Sequence, residues 1–126
     1  MTERRVISTD KAPPAIGPYS QAIVANGVVY CSGQIGMTPD GELVEGGVEA
    51  ETRQAMTNLG AVLDAAGSSF EQVVQCSLFL ADMNDFARVN EIYASFFGEA
   101  PPARACVEAA RLPRDARFEI VATAVL

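Results

Sequence analysis

Histidine and tryptophan are absent from the 126 residues. Without an imidazole no Ser–His–Asp or Cys–His nucleophile pair can be assembled. Zinc sites built on imidazole and haem sites with a histidine ligand are excluded for the same reason. Cysteine is scarce: Cys31, Cys76 and Cys106 are widely spaced and form no CxxC, so a zinc ribbon or redox motif has no support. One disulfide with a free thiol stays open, but three reduced thiols in a cytoplasmic protein are the simpler reading. Positive charge is also in short supply. Nine Lys and Arg stand against sixteen Asp and Glu, a net charge of −7. That disfavours a nucleic-acid partner, because phosphate neutralisation by Lys and Arg supplies most non-specific affinity; a local basic patch is still compatible with the total. No apolar run approaches the ~20 residues a membrane span needs, and Met1–Asp10 carries no apolar stretch of the signal-peptide kind. The expectation is one soluble, cytoplasmic domain over residues 1–126.

What is present alternates between strand and helix signals. Residues 10–18 form a Pro-rich connector that resists both helix and central strand. Short β-type runs at 20–25 and 28–33 flank Asn26-Gly27, a strong hairpin dipeptide. The stretch from Gly33 to Gly47 holds five glycines but neither GxGxxG nor GxxxxGK, so nucleotide binding is unsupported. Thr52, Ala55, Met56, Leu59, Val62, Leu63 and Ala66 make one apolar helical stripe. Glu49 and Glu51 are expected in its first turn and Gly67 at its end. Residues 73–81 read as a strand. Asn84–Phe97 reads as a second helix, capped by Asp82 or Asn84, with Phe86, Val89, Tyr93, Phe96 and Phe97 in the core. Strands at 103–111 and 117–126 follow. With a first strand near Val6, the order β-β-β-α-β-α-β-β predicts an α+β fold, a single mixed sheet with both helices packed on one face.

Alternation assigns side chains to the two sheet faces. Ala105, Val107 and Ala109 fall opposite Arg104, Cys106 and Glu108; Phe118, Ile120, Ala122 and Ala124 fall opposite Glu119, Val121, Thr123 and Val125. The apolar sets are expected beneath the helices, which puts Arg104, Cys106 and Glu119 together on the second face. That face is too apolar for free solvation and too charged for a core. It reads as a subunit interface with a polar pocket, in a closed homo-oligomer.

Six segments occur in order: Ile16-Gly-Pro-Tyr-Ser-Gln-Ala22, Ser32-Gly-Gln-Ile-Gly36, Asp82-Met-Asn-Asp-Phe-Ala-Arg-Val-Asn90, Pro102-Ala-Arg-Ala-Cys-Val-Glu108, Ala110-Arg-Leu-Pro-Arg-Asp115 and Phe118-Glu-Ile-Val-Ala-Thr-Ala124. Together they resemble the RidA family of reactive intermediate (enamine/imine) deaminases, from about Ile7 to Val125. The resemblance implies a chorismate-mutase-like fold, a homotrimer with active sites between subunits, and no cofactor or metal. The implied activity is hydrolysis of 2-imino acids, tautomers of 2-aminoacrylate and 2-aminocrotonate, to pyruvate or 2-oxobutanoate and ammonia. Left alone, those enamines attack pyridoxal-phosphate enzymes.

Such a substrate carries a carboxylate beside an electrophilic C=N carbon. Arg suits the carboxylate through two parallel N–H donors, and the resemblance assigns that part to Arg104; an ion pair with Glu108 or Glu119 is the structural alternative. Glu119 is the carboxylate available to move protons, with an interface salt bridge as its alternative. Cys106 is implied to line the pocket and hold ligand or water through its backbone; a buried small hydrophobe is the competing role, and no His exists to activate a thiolate. Tyr19, Ser32, Gly33 and Asn90 are implied to complete the pocket. Glu108 and Arg111 are read as structural. Two other functions stay open beside the deaminase, a non-catalytic trimeric module binding small 2-oxo acids and an endoribonuclease or translation inhibitor; a chorismate mutase shares the fold but is disfavoured, since fold alone does not carry function.

Overall fold

Asn26 and Gly27 both take positive φ, 52° and 74°, the type I′ geometry that matches strand twist. They fold β2 (Ala22–Ala25) onto β3 (Val28–Cys31) in a tight hairpin. In this computed structural model, which describes residues 3–126, β1 (Arg4–Ile7) extends the hairpin antiparallel to β2. The remaining strands are β4 (Gln34–Ile35), β5 (Val73–Leu80), β6 (Ala103–Glu108) and β7 (Phe118–Val125). They form one sheet in the order β1-β2-β3-β7-β5-β6, with β4 also paired to β7. Only β5 and β6 run parallel; the crossover between them contains helix α2 (Phe86–Ala94). The sheet is therefore mixed, as expected.

Helix α1 (Gly47–Ala66) buries all seven residues of the predicted stripe. Gly67 closes it at φ 85°, a left-handed conformation that glycine adopts without a Cβ penalty. The helix begins at Gly47, so Glu49 alone occupies the first turn. Glu51, expected beside it, lies a turn further on and is fully buried. Helix α2 is shorter than predicted. A 3-10 turn over Met83–Asp85 precedes it, and Asp82 Oδ1 accepts the Asn84 N–H at 2.9 Å. Val89 and Tyr93 are buried, while Phe86, Phe96 and Phe97 pack on the core from its margin. Past the end of α2, the Phe97 ring lies 4.7 Å from Tyr93 and 5.5 Å from Phe70, centroid to centroid.

β7 alternates as expected: Phe118, Ile120, Ala122 and Ala124 are buried beneath the helices. β6 reverses the expectation. Its pairing sets Arg104 beside Cys76 and Cys106 beside Leu78, and Cys76 and Leu78 are buried on the helix side. Arg104 and Cys106 therefore share the helix face, and Ala105 and Val107 face outward, with Val107 half exposed. Polarity misleads here because β6 is an edge strand. α1 does not reach over it, so its helix-side positions are roofed only by α2 and can carry a cation.

The glycine-rich stretch hides β4, too short for any periodicity. Buried Asn58 of α1 holds this region by hydrogen bonds, and the α1 backbone at Glu51 packs against it. Asn58 donates to the carbonyls of Ile35 (3.2 Å) and Met37 (2.7 Å). Gly36 approaches α1 so closely that a Cβ there would lie 2.4 Å from the Glu51 Cα. Replacing Asn58 by Ala leaves two carbonyls without that donor. Asn58→Ala should lower stability by about 1–3 kcal/mol, measured as a reduced urea midpoint at unchanged m-value; a midpoint equal to the parent's would contradict this account of the segment.

Candidate functional site

The predicted site residues divide into two groups on opposite faces of the sheet. The first gathers around Glu119. On β7 this residue pairs with Phe79 of β5 and Ile35 of β4, so its side chain leaves the sheet on the face away from the helices. A Cβ on Gly33 would lie 2.1 Å from Glu119 Oε2; only glycine leaves the carboxylate its place. Tyr19, Ser32, Gly33, Gln34, Arg114 and Glu119 contribute to the wall of one cavity of about 580 Å³.

The Pro-rich connector forms another part of that wall because buried Gln21 ties it down. Gln21 accepts the Thr9 N–H at 2.7 Å and donates to the carbonyls of Thr9 (3.1 Å) and Pro13 (2.7 Å). The Ser32 hydroxyl donates to the Ser20 carbonyl at 2.5 Å. The Tyr19 hydroxyl accepts the Ile16 N–H at 3.2 Å, and the residue remains 53% exposed, free to cover a ligand. Burial pushes the Glu119 carboxyl above its ordinary range. A shift in this direction makes the carboxylate a stronger proton acceptor. Arg114, at φ 60°, carries a cation into the same cavity and was not singled out from the sequence.

The second group lies where β6 meets α2. Arg104 donates from Nη1 to Asn90 Oδ1 at 2.7 Å. Its Cζ stands 4.9 Å from the centre of the Tyr93 ring and 5.5 Å from that of Phe86. Stacking on ring faces stabilises a guanidinium and leaves its outer edge open to solvent. Tyr93 and Phe86 were expected only as core. The spacing Phe86, Asn90, Tyr93, which is i, i+4, i+7, was the available signal that they share a helix face with Asn90. Cys106, on the same side of β6, packs against the core. Burial pushes its thiol pKa up, opposed in part by Arg104. This keeps it a thiol, not a nucleophilic thiolate.

The structure thus brings Tyr19, Ser32 and Gly33 to Glu119, and Asn90 and Cys106 to Arg104. It does not bring Arg104 and Glu119 together. The expectation that they share a face fails because β5 pairs Leu78 with both Ile120 and Cys106, which sends Glu119 and Arg104 to opposite sides. Glu108, read as structural, accepts the Met83 N–H at 2.9 Å at the entrance to α2, and Arg111 pairs with Asp115 at 2.9 Å.

A single mixed sheet roofed by two helices matches the fold of the L-PSP/Rid proteins. The family described as Endoribonuclease L-PSP matches residues 9–126, and the chain belongs to it, among its RidA-type members. A mouse protein named 2-iminobutanoate/2-iminopropanoate deaminase is 55% identical over 97% of this chain and 91% of its own. The human protein of that name is 54% identical over 97% and 90%. Among solved structures, YyfA of Yersinia pestis, assigned to the conserved Rid protein family, superposes with a TM-score of 0.96 at 46% identity, covering 98% of this chain and all of its own. TdcF of E. coli, solved with bound serine, gives 0.92 at 40% identity over 97% and 98%.

Gly33→Ala tests the packing around Glu119. The methyl collides with the movable end of a side chain, so the carboxylate should swing outward while stability changes by less than about 1 kcal/mol. Its pKa should then fall back toward the ordinary carboxylate range, read by carbon-13 NMR titration. An unchanged titration in the folded variant would show that Gly33 does not set the place of Glu119.

Proposed function

We propose that this protein hydrolyses 2-imino acids, the tautomers of 2-aminoacrylate and 2-aminocrotonate, to 2-oxo acids and ammonia, without a cofactor, and so spares pyridoxal-phosphate enzymes in the cytoplasm. The active site is composite, formed between copies of the chain in a homotrimer. The observation that carries this reading is the division of the site. An arginine with an open guanidinium edge and a carboxylate of raised pKa are complementary halves of an imino-acid site, yet one sheet separates them. Two copies supply both halves when the outer face of one meets the α2–β6 edge of the next. Such a head-to-tail contact closes into a ring when its rotation closes, and the resemblance to the RidA family sets the number at three. The outer face suits burial: Tyr30, Val107 and Val125 on it are 53%, 50% and 38% exposed. The names of the mammalian relatives support the activity, and bound serine in TdcF supports a ligand with a carboxylate next to a nitrogen-bearing carbon.

In the reaction Arg104 takes the substrate carboxylate through two N–H donors, held at its angle by Asn90 and the two rings. Cys106 contributes its backbone to the same wall. Glu119 of a second copy accepts a proton from water as the oxygen adds to the C=N carbon. Glu119 returns that proton to the nitrogen, giving the carbinolamine, and then takes the hydroxyl proton and passes it to the nitrogen as the C–N bond breaks, so that the 2-oxo acid and ammonia form and one water is consumed per imine. Tyr19 and Ser32 close the pocket, and no step requires a cofactor or metal. An endoribonuclease reading is disfavoured by the net charge of −7 and the absence of histidine. No described helix is long and apolar enough to cross a membrane.

The test couples a threonine dehydratase, which releases the enamine, to detection of the 2-oxo acid with and without this protein. Arg104→Lys keeps the charge but loses the two-pronged fork and should reduce the enzyme-dependent rate at least about tenfold. Glu119→Gln should slow it by about 10²-fold or more while 2-oxobutanoate still binds, and both variants should remain trimers by sedimentation. Parental turnover by Glu119→Gln would make that residue structural. An unaccelerated parent that binds 2-oxo acids would identify a binding module, and a stable monomer at micromolar concentration would rule out the ring.

The pH dependence has a fixed sign. Water activation needs the carboxylate form, so activity should rise with pH through the pKa of Glu119. Since burial raises that pKa, the half-point should lie above the ordinary carboxylate range of about 4.3. A half-point at or below that range would separate the limb from Glu119.

A further inference from the structure

The most completely buried charge among the described residues lies outside both half-sites. Glu51 of α1 has no solvent exposure. Its Oε1 accepts the backbone N–H of Arg117 at 2.7 Å and its Oε2 accepts Nη1 of the same residue at 2.6 Å. Arg117 immediately precedes β7 and stands two residues before Glu119. It lies between Ala116 and Phe118, both buried, while its own side chain is half exposed. Two residues of extended chain span only about 7 Å, within reach of a flexible arginine side chain. Yet Glu119 makes no ion pair among the described residues, and its carboxyl is raised by burial with no opposing cation.

We propose that Glu51 is a positioning residue for the reaction: by gripping Arg117 at backbone and guanidinium together, it anchors the start of β7 and keeps that guanidinium off the Glu119 carboxylate. This rests on the reading of Glu119 as the proton acceptor. A buried carboxylate is a costly way to fasten a strand, since desolvation offsets much of its attraction to the cation. It has the separate effect of occupying a cation only two residues from Glu119. The other ionisable groups around Glu119 leave that effect to Arg117. Tyr19 and Arg114 line the same cavity, and Arg114 is engaged with Met37 and the Gly41 carbonyl. The residues paired with Glu119 from β5 and β4 are Phe79 and Ile35, both uncharged. In the assembled site Arg104 of a second copy also approaches, but bound substrate neutralises it.

The experiment measures the pH profile of enzyme-dependent imine hydrolysis in Glu51→Gln. The amide oxygen can still accept the Arg117 N–H, so the local fold is kept while the grip on the guanidinium is lost. A cation within about 4–6 Å lowers a carboxyl pKa by 1–3 units. The acid limb should therefore move down by about one pH unit or more, with kcat on the plateau reduced and KM within about twofold. Adding Arg117→Gln to that variant should return the limb to its parental position. If Glu51→Gln does not fold, Glu51→Asp keeps the charge but withdraws it, and should move the limb part of the way in the same direction. A parental profile in the folded variant, or a shift that Arg117→Gln does not reverse, would overturn the proposal. The control is Glu119→Gln: if it keeps the parental limb, the assignment of Glu119 has failed, whatever Glu51 does.

Discussion

Leu78, in the middle of β5, pairs with Ile120 of β7 on one side and Cys106 of β6 on the other. That double register decides which face Arg104, Cys106 and Glu119 each take. Leu78 and Ile120 are buried under the helices, so Cys106 and, two residues earlier, Arg104 emerge on the helix side. Glu119, next to Ile120, emerges on the far side. A one-residue slip would exchange the faces of a whole strand, but it would also push Phe118 and Ile120 into water. The hydrophobic effect thus holds apart an arginine and a carboxylate that would otherwise be natural partners.

The same division of labour recurs in α1. Its apolar stripe fills the core, but Glu51 and Asn58, seven residues apart and so on one face, are buried with it. Asn58 supports β4, Glu51 grips the residue before β7, and Glu119 lies where these two strands pair. Gln21 does similar work for the Pro-rich connector. Buried polar groups are tolerated where their hydrogen bonds are made. Here they are made to irregular backbone, which has no ladder of its own to satisfy it. The cavity around Glu119 is built from such irregular segments and depends on these three side chains for its shape.

The sequence made the elements legible because their signals are local. The α1 stripe, the Asn26-Gly27 turn, the Gly67 stop and the alternation of β7 each follow from a few neighbouring residues. Which residues gather was legible through ordered motifs: Tyr19, Ser32 and Gly33 lie around Glu119, and Asn90 and Cys106 beside Arg104. The relation between these two sets was not legible. It depends on the pairing of β6 with β5, a contact between residues far apart in the chain, and polarity on an edge strand does not report its face. Glu51 was read as a helix-start acid for a related reason. Its partner, Arg117, is 66 residues away, and nothing in the local sequence marks a carboxylate that is about to be buried.

An imine needs little from an enzyme beyond a held carboxylate, a placed water and a route for protons. On the proposed reading, a sheet that presents the first on one face and the last on the other meets that need in company with another copy. The most direct measurement mixes two inactive variants, Arg104→Ala and Glu119→Gln, under conditions where subunits exchange, with mass spectrometry to verify mixed oligomers. If each site takes Arg104 from one copy and Glu119 from the next, three-quarters of randomly mixed trimers hold one intact site. Activity should then recover to about one quarter of the parental value in a closed ring of three. Mixed oligomers that form yet remain inactive would contradict a site shared between copies.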